Sequence, residues 1–151
     1  MSTNFEALSL TNQADGVCEV VLTRPELFNR FDNLLQVELA SALAQISEDE
    51  TVRSIVLGST GKAFSAGGDF ALMRAAHDDE DVRRDTVNAG RNLVRTFLRL
   101  RQPIVAAVQG AAIGLGGGVG ELHPHRRAVF EAAVVSLAAP RVAQDRIGLG
   151  D

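Results

Sequence analysis

Apolar and polar residues alternate from Phe5 to Leu10, and Val17 to Thr23 is a β-rich run. Between them lies Asn12-Gln13-Ala14-Asp15-Gly16, whose Asp-Gly ending signals a turn, so the opening predicts an antiparallel hairpin. Arg24-Pro25 ends the second strand, because proline has no N–H to give to a ladder. From Asn33 to Ile46 the residues Leu34, Leu35, Val37, Leu39, Leu43 and Ile46 recur at mostly helical spacing. Asp32 is the expected N-cap, its carboxylate accepting from the free N–H groups of the first turn. Val52 to Leu57 reads as a short apolar strand and Gly58 to Gly61 as a loop. A short helix is expected from Phe70 to about Ala76, and a second from about Asp81 to Arg101. The acidic start of the second (Asp78 to Asp81) and its basic end (Arg95, Arg99, Arg101) suit the helix dipole at both ends. Pro103 opens a strand over Ile104 to Val108. Strands alternating with helices predict an α/β domain with parallel pairing through crossover helices.

Two glycine turns break this pattern. Phe64-Ser65-Ala66-Gly67-Gly68-Asp69 and Gly110-Ala111-Ala112-Ile113-Gly114-Leu115-Gly116-Gly117-Gly118 each follow a strand and precede helix-forming residues. Glycine lets a backbone approach a ligand closely, and helix starts leave N–H groups free to face it. Two such turns facing one another would hold a carbonyl oxygen between main-chain donors and stabilise negative charge on it. As plain connectors they would need no ligand. A dinucleotide reading fails, because no register of the second turn completes G-x-G-x-x-G and the strand before it is not the first of a βαβ unit.

Composition narrows the classes. The 151 residues are 46% hydrophobic and 23% charged, with a formal net charge of -4, as in an ordinary globular domain. The 14 arginines are scattered rather than clustered, and Trp and Tyr are absent, which argues against a nucleic-acid surface. No apolar run reaches the roughly 18 residues of a membrane span, and the first residues carry no secretory pattern. Cys18, the lone cysteine, sits mid-strand as a small core side chain and fits a reducing, cytoplasmic setting. His77 reads as an exposed helix end. Ser65 is not in a G-x-S-x-G elbow and is expected to serve its turn through its hydroxyl. His123-Pro124-His125 with Glu121 matches no established metal spacing, so no metal site is expected.

The segments GKAFSAGGD (Gly61 to Asp69) and QPIVAAVQGAAIGLGGG (Gln102 to Gly118) resemble the two signature regions of the enoyl-CoA hydratase/isomerase, or crotonase, superfamily. VVLTRPELFNRFD (Val20 to Asp32) resembles that family's opening, and the resemblance covers about Phe5 to Gly118. It implies a crotonase-like β-β-α spiral that binds an acyl-coenzyme A thioester and polarises its carbonyl in an oxyanion hole. It puts the donor amides at Gly68 and Leu115. Coenzyme A would lie against Ala66, Gly67, Phe28 and Asn29, as part of the substrate rather than as a cofactor. Acyl-CoA is the implied partner, with neither nucleic acid nor membrane, and a trimer or hexamer forms if the full family fold is completed.

The chain departs from the pattern after the second turn. The family's two acid/base glutamates fall on Gly118 and Val134, with Glu121 and Glu131 each three residues away and better read as surface residues. Residues 1–118 are therefore expected to form the spiral core, and 119–151 an atypical tail with a strand near Val134 to Leu137. A truncated product, a reading-frame change near Gly120 or a sequence error would each explain the break. An enoyl-CoA hydratase or isomerase is the leading expectation. The alternative is a non-catalytic remnant that binds coenzyme A or a full-length relative.

Overall fold

The computed structural model describes residues 4–114. A hairpin opens the chain, with β1 (Leu8–Asn12) antiparallel to β2 (Val17–Leu22) and Leu8 opposite Leu22. After a 3-10 turn over Pro25–Leu27 comes α1 (Asn33–Glu48), then β3 (Ser54–Ser59), α2 (Phe70–Asp78), α3 (Glu80–Arg99) and β4 (Ile104–Ala106). The sheet order is β1-β2-β3-β4, with β3 parallel to β2 and β4 parallel to β3.

The hydrophobic pattern explains this layering. Cys18, Val20 and Leu22 of β2, Ile55 and Leu57 of β3, and Ile104 and Ala106 of β4 alternate onto one buried face. Leu35, Leu39, Ala42, Leu43 and Ile46 form the buried stripe of α1, at the spacing of one helical face. Asp32 caps this helix as expected, its carboxylate accepting from the Leu35 N–H at 3.0 Å. Leu93 and Phe97 bring the end of α3 into the same core, whereas α2 buries no residue. Buried Gln102 ties the layers together, its Nε2 donating to the carbonyls of Ile46 at 2.8 Å and Val52 at 3.3 Å.

A second, smaller layer lies beyond the strand ends. Isolated parallel bridges join Phe31 to Gly68 and Ser65 to Ala112. After β2, β3 and β4 the chain passes through this layer, and from the first two it continues into α1 and α2. Strand, bridge and helix thus repeat, advancing the sheet by one parallel strand per turn. This is the β-β-α spiral that the motifs imply.

Element ends differ from the sequence expectation by a few residues. The first strand starts at Leu8 rather than Phe5, and Val52 precedes its strand because its carbonyl is taken by Gln102. β4 ends at Ala106, and α2 runs on to Asp78, where Asp79 starts the next helix by accepting from Asp81 and Val82. The strand expected near Val134 to Leu137 lies outside the described residues.

Candidate functional site

The first glycine turn is held by main-chain bonds on both flanks. The Ser65 N–H donates to Ala111 O at 3.1 Å and its carbonyl accepts from Ile113 N at 3.0 Å. On the other flank Ala66 N donates to Phe28 O at 2.9 Å, and Phe31 N donates to Gly67 O at 2.7 Å. The buried Ser65 hydroxyl donates to Asn29 O at 2.8 Å and accepts from Gly67 N at 3.1 Å. Asp69 N reaches Phe31 O at 3.4 Å. Of the five successive amides from Ser65 to Asp69, four therefore have acceptors. Among the described residues the Gly68 N–H has none.

The second turn packs directly on the first. Gly67 has φ +87°, and a Cβ there would stand 2.7 Å from Ile113 O, so a side chain would force the turns apart. A Cβ on Gly114, itself at φ +55°, would stand 3.8 Å from Gly67 Cα. Backbone meets backbone at this point. Leu115, the next residue, lies outside the described residues, as do Glu121, His123, His125 and Glu131.

Loop 24–32 frames the other side. Phe28 and Asn29 both adopt positive φ, 51° and 48°. Asn29 is buried, and its amide is fully engaged: Oδ1 accepts from Arg24 N at 2.9 Å, while Nδ2 donates to Thr60 O at 2.8 Å and Ala63 O at 3.3 Å. It knots the first loop to the approach of the first turn, so both ends of its side-chain amide are already bonded to main chain. Phe28 and Ala66 are exposed beside it. Arg24 grips Asp32 through two bonds of 2.8 Å. Burial alone would raise the Asp32 pKa, but the bonds from Arg24 and Leu35 N–H, with the charges of Arg24 and Arg30, outweigh it and hold the carboxyl below the usual carboxylate range. The bond to Asp32 also holds the Arg24 guanidinium above its ordinary value.

One apolar side chain stands against Gly68. A Cβ there would meet the Met73 methyl at 2.8 Å. Met73, Phe70 and Ile113 are all exposed, Phe70 at 84%. Asp69 caps α2 through Ala71 N at 2.9 Å and lies 3.4 Å from Arg30 Nε. Sequence reasoning missed Met73 and the Asn29–Ser65 knot. Met73 sits one helical turn beyond Asp69, a spacing that could have singled it out once Asp69 was read as a cap. His77 is exposed at the end of α2, and Cys18 is buried, as expected. Among the described residues no group of three or more His, Cys, Asp or Glu could hold a metal, and no helix is long and apolar enough to cross a membrane.

A strand-bridge-helix spiral with two abutting glycine turns defines the class structurally. The chain belongs to the enoyl-CoA hydratase/isomerase family, whose sequence model matches residues 12–123. Carboxymethylproline synthase of Pectobacterium carotovorum is 34% identical over 104 residues, 68% of this chain and 41% of that protein. The 1,2-epoxyphenylacetyl-CoA isomerase of Escherichia coli is 31% identical over 71% of this chain and 42% of its own length. A solved enoyl-CoA hydratase/isomerase from Mycobacterium paratuberculosis superposes with a TM-score of 0.72 at 35% identity, covering 78% of this chain and 47% of that one. The chain spans about 40% of the length of these curated relatives.

Proposed function

We propose that this chain binds an acyl-CoA thioester and polarises its carbonyl between the main-chain amides of Gly68 and Leu115. The observation that carries the reading is the Gly68 N–H, which has no acceptor among the described residues in a turn whose other amides are all used. An unpaired amide on a rigid turn favours an oxygen on which charge develops, because it needs no reorganisation when the charge appears. The neighbouring turn abuts at Gly67 and Gly114, and Leu115 follows directly, which supports a second donor close by. Coenzyme A would lie over Phe28, Ala66 and Gly67, with Asn29 contributing by shaping the loop. Met73, whose methyl stands beside Gly68, offers the acyl group an apolar contact next to the amide.

Related proteins named for a synthase and for isomerases are similar to this chain in sequence, which suits a site that stabilises one kind of charged oxygen while other groups select the reaction. Hydration or isomerisation of an enoyl-CoA is the default within that class. A cytoplasmic location, and a trimer or hexamer if the full family fold is completed, are the accompanying expectations.

The test is loss of the conjugated thioester absorbance of crotonyl-CoA. Gly68→Pro, which deletes the donor N–H, should lower turnover about 10²- to 10³-fold, the usual effect of losing one such donor. Gly68→Ala keeps the N–H and should lose far less. A second reading has its own support, since the family's glutamate positions fall on Gly118 and Val134. A remnant that binds coenzyme A or a full-length relative would show binding without turnover in the same assay.

A further inference from the structure

We propose that the Phe31 main-chain N–H sets both the direction and the strength of the Gly68 donor, through the one peptide group that they share. The inference deepens the oxyanion reading and rests on it for its catalytic meaning. The Gly67–Gly68 peptide is planar and trans, so its C=O and N–H point in opposite directions. Phe31 N holds the C=O end at 2.7 Å, the shortest of the main-chain bonds that hold this turn. The N–H end must then face away from Phe31, and it is the end with no acceptor among the described residues.

The grip on the C=O also polarises the N–H. Hydrogen bonds in series strengthen one another, by roughly 10–30% per bond. Phe31 is well placed for this role because its own position is fixed. Its ring is buried in the core, the next residue caps α1, and that cap is clamped by Arg24 through two bonds of 2.8 Å. At the other end of the turn the Ser65 hydroxyl takes the Gly67 N–H at 3.1 Å, so the preceding peptide is anchored separately. The start of α1, far from the glycine motif in sequence, thus becomes part of the donor. Phe31 touches no substrate in this scheme and acts only as a positioning residue.

Replacing Phe31 by phenyllactic acid through nonsense suppression removes this N–H while keeping the ring. A matched control replaces Ala107 by lactic acid, deleting the 2.8 Å bond from Ala107 N to Leu57 O in the sheet. Two readouts apply to each full-length protein. The first is the ¹⁵N resonance of Gly68, which responds to hydrogen bonding at the Gly67 carbonyl. The second is the preference for acetoacetyl-CoA, whose enolate mimics the charged oxygen, over coenzyme A.

The Phe31 ester should move the Gly68 resonance upfield and lower that preference roughly tenfold, about the worth of one hydrogen bond, with coenzyme A binding unchanged. The Ala107 ester should do neither. An unmoved Gly68 resonance in the Phe31 ester, or equal effects from both esters, overturns the proposal. A shifted resonance in a protein whose wild type has no preference for acetoacetyl-CoA upholds the peptide coupling and overturns the oxyanion reading instead. Should the Phe31 ester fail to fold, Asp32→Asn, which keeps a cap but loosens the Arg24 clamp, must move the Gly68 resonance in the same direction for the proposal to stand.

Discussion

Gly67 is the residue at which the two turns have least room. Its φ of +87° and the 2.7 Å approach of Ile113 O leave no space for a methyl group. Gly67→Ala should cost about 1–2 kcal/mol for the left-handed conformation and about 1–3 kcal/mol more for overpacking, measured by urea unfolding. Asp32 makes a different, pH-dependent contribution. Its folded-state pKa lies below the unfolded value, so its stabilisation is fully present above the unfolded pKa and is lost as pH falls through the folded one. Unfolding free energy should therefore decline below about pH 4, and Asp32→Asn should flatten that acid limb. An unchanged limb in the variant would show that the Arg24–Asp32 pair contributes nothing to folding.

At the scale of elements, the helices differ in how they are held. α1 presents a continuous buried stripe to the sheet, whereas α2 buries nothing and α3 enters the core only at Leu93 and Phe97. Local opening is cheapest where few apolar contacts must break. Amides of α2 and of the first half of α3 should exchange with deuterium well before those of α1, as read by mass spectrometry of peptic fragments. Gln102 works between elements, joining the end of α1 to the approach of β3. Gln102→Leu leaves the buried carbonyls of Ile46 and Val52 without this donor and should cost about 1–3 kcal/mol in the same urea titration.

For the whole molecule, Cys18 offers a built-in probe. It lies fully buried in β2, between β1 and β3, and burial raises its thiol pKa, with help from the charges of Asp49 and Glu19. Labelling by a thiol reagent should be negligible in the native protein and should follow global unfolding, because no smaller opening uncovers a central strand. Fast labelling under native conditions would mean that the hairpin separates from β3 independently of the rest.

Much of the chain could be read in advance, because local rules govern it. The Asp-Gly hairpin, the apolar stripe of α1 with Asp32 before it, and the parallel order of β2 to β4 follow from turn chemistry, helical spacing and crossover geometry. The glycine motifs marked two turns that fold against one another. Their resemblance put a donor at Gly68, but the spacing of the residues does not say which amide lacks a partner among the described residues. Ser65, Ala66, Gly67, Gly68 and Asp69 look alike as donors in the sequence, and only their partners, drawn from residues 28–31 and from Ala111, tell them apart. Asn29 shows the same thing in reverse. It belongs to a loop suited to a ligand, yet folding engages its side chain with Arg24, Thr60 and Ala63. Secondary structure depends on neighbours a few residues apart, so the sequence alone could determine it. A free hydrogen-bond donor depends on every group that might have taken it, and those groups come together only in the tertiary structure.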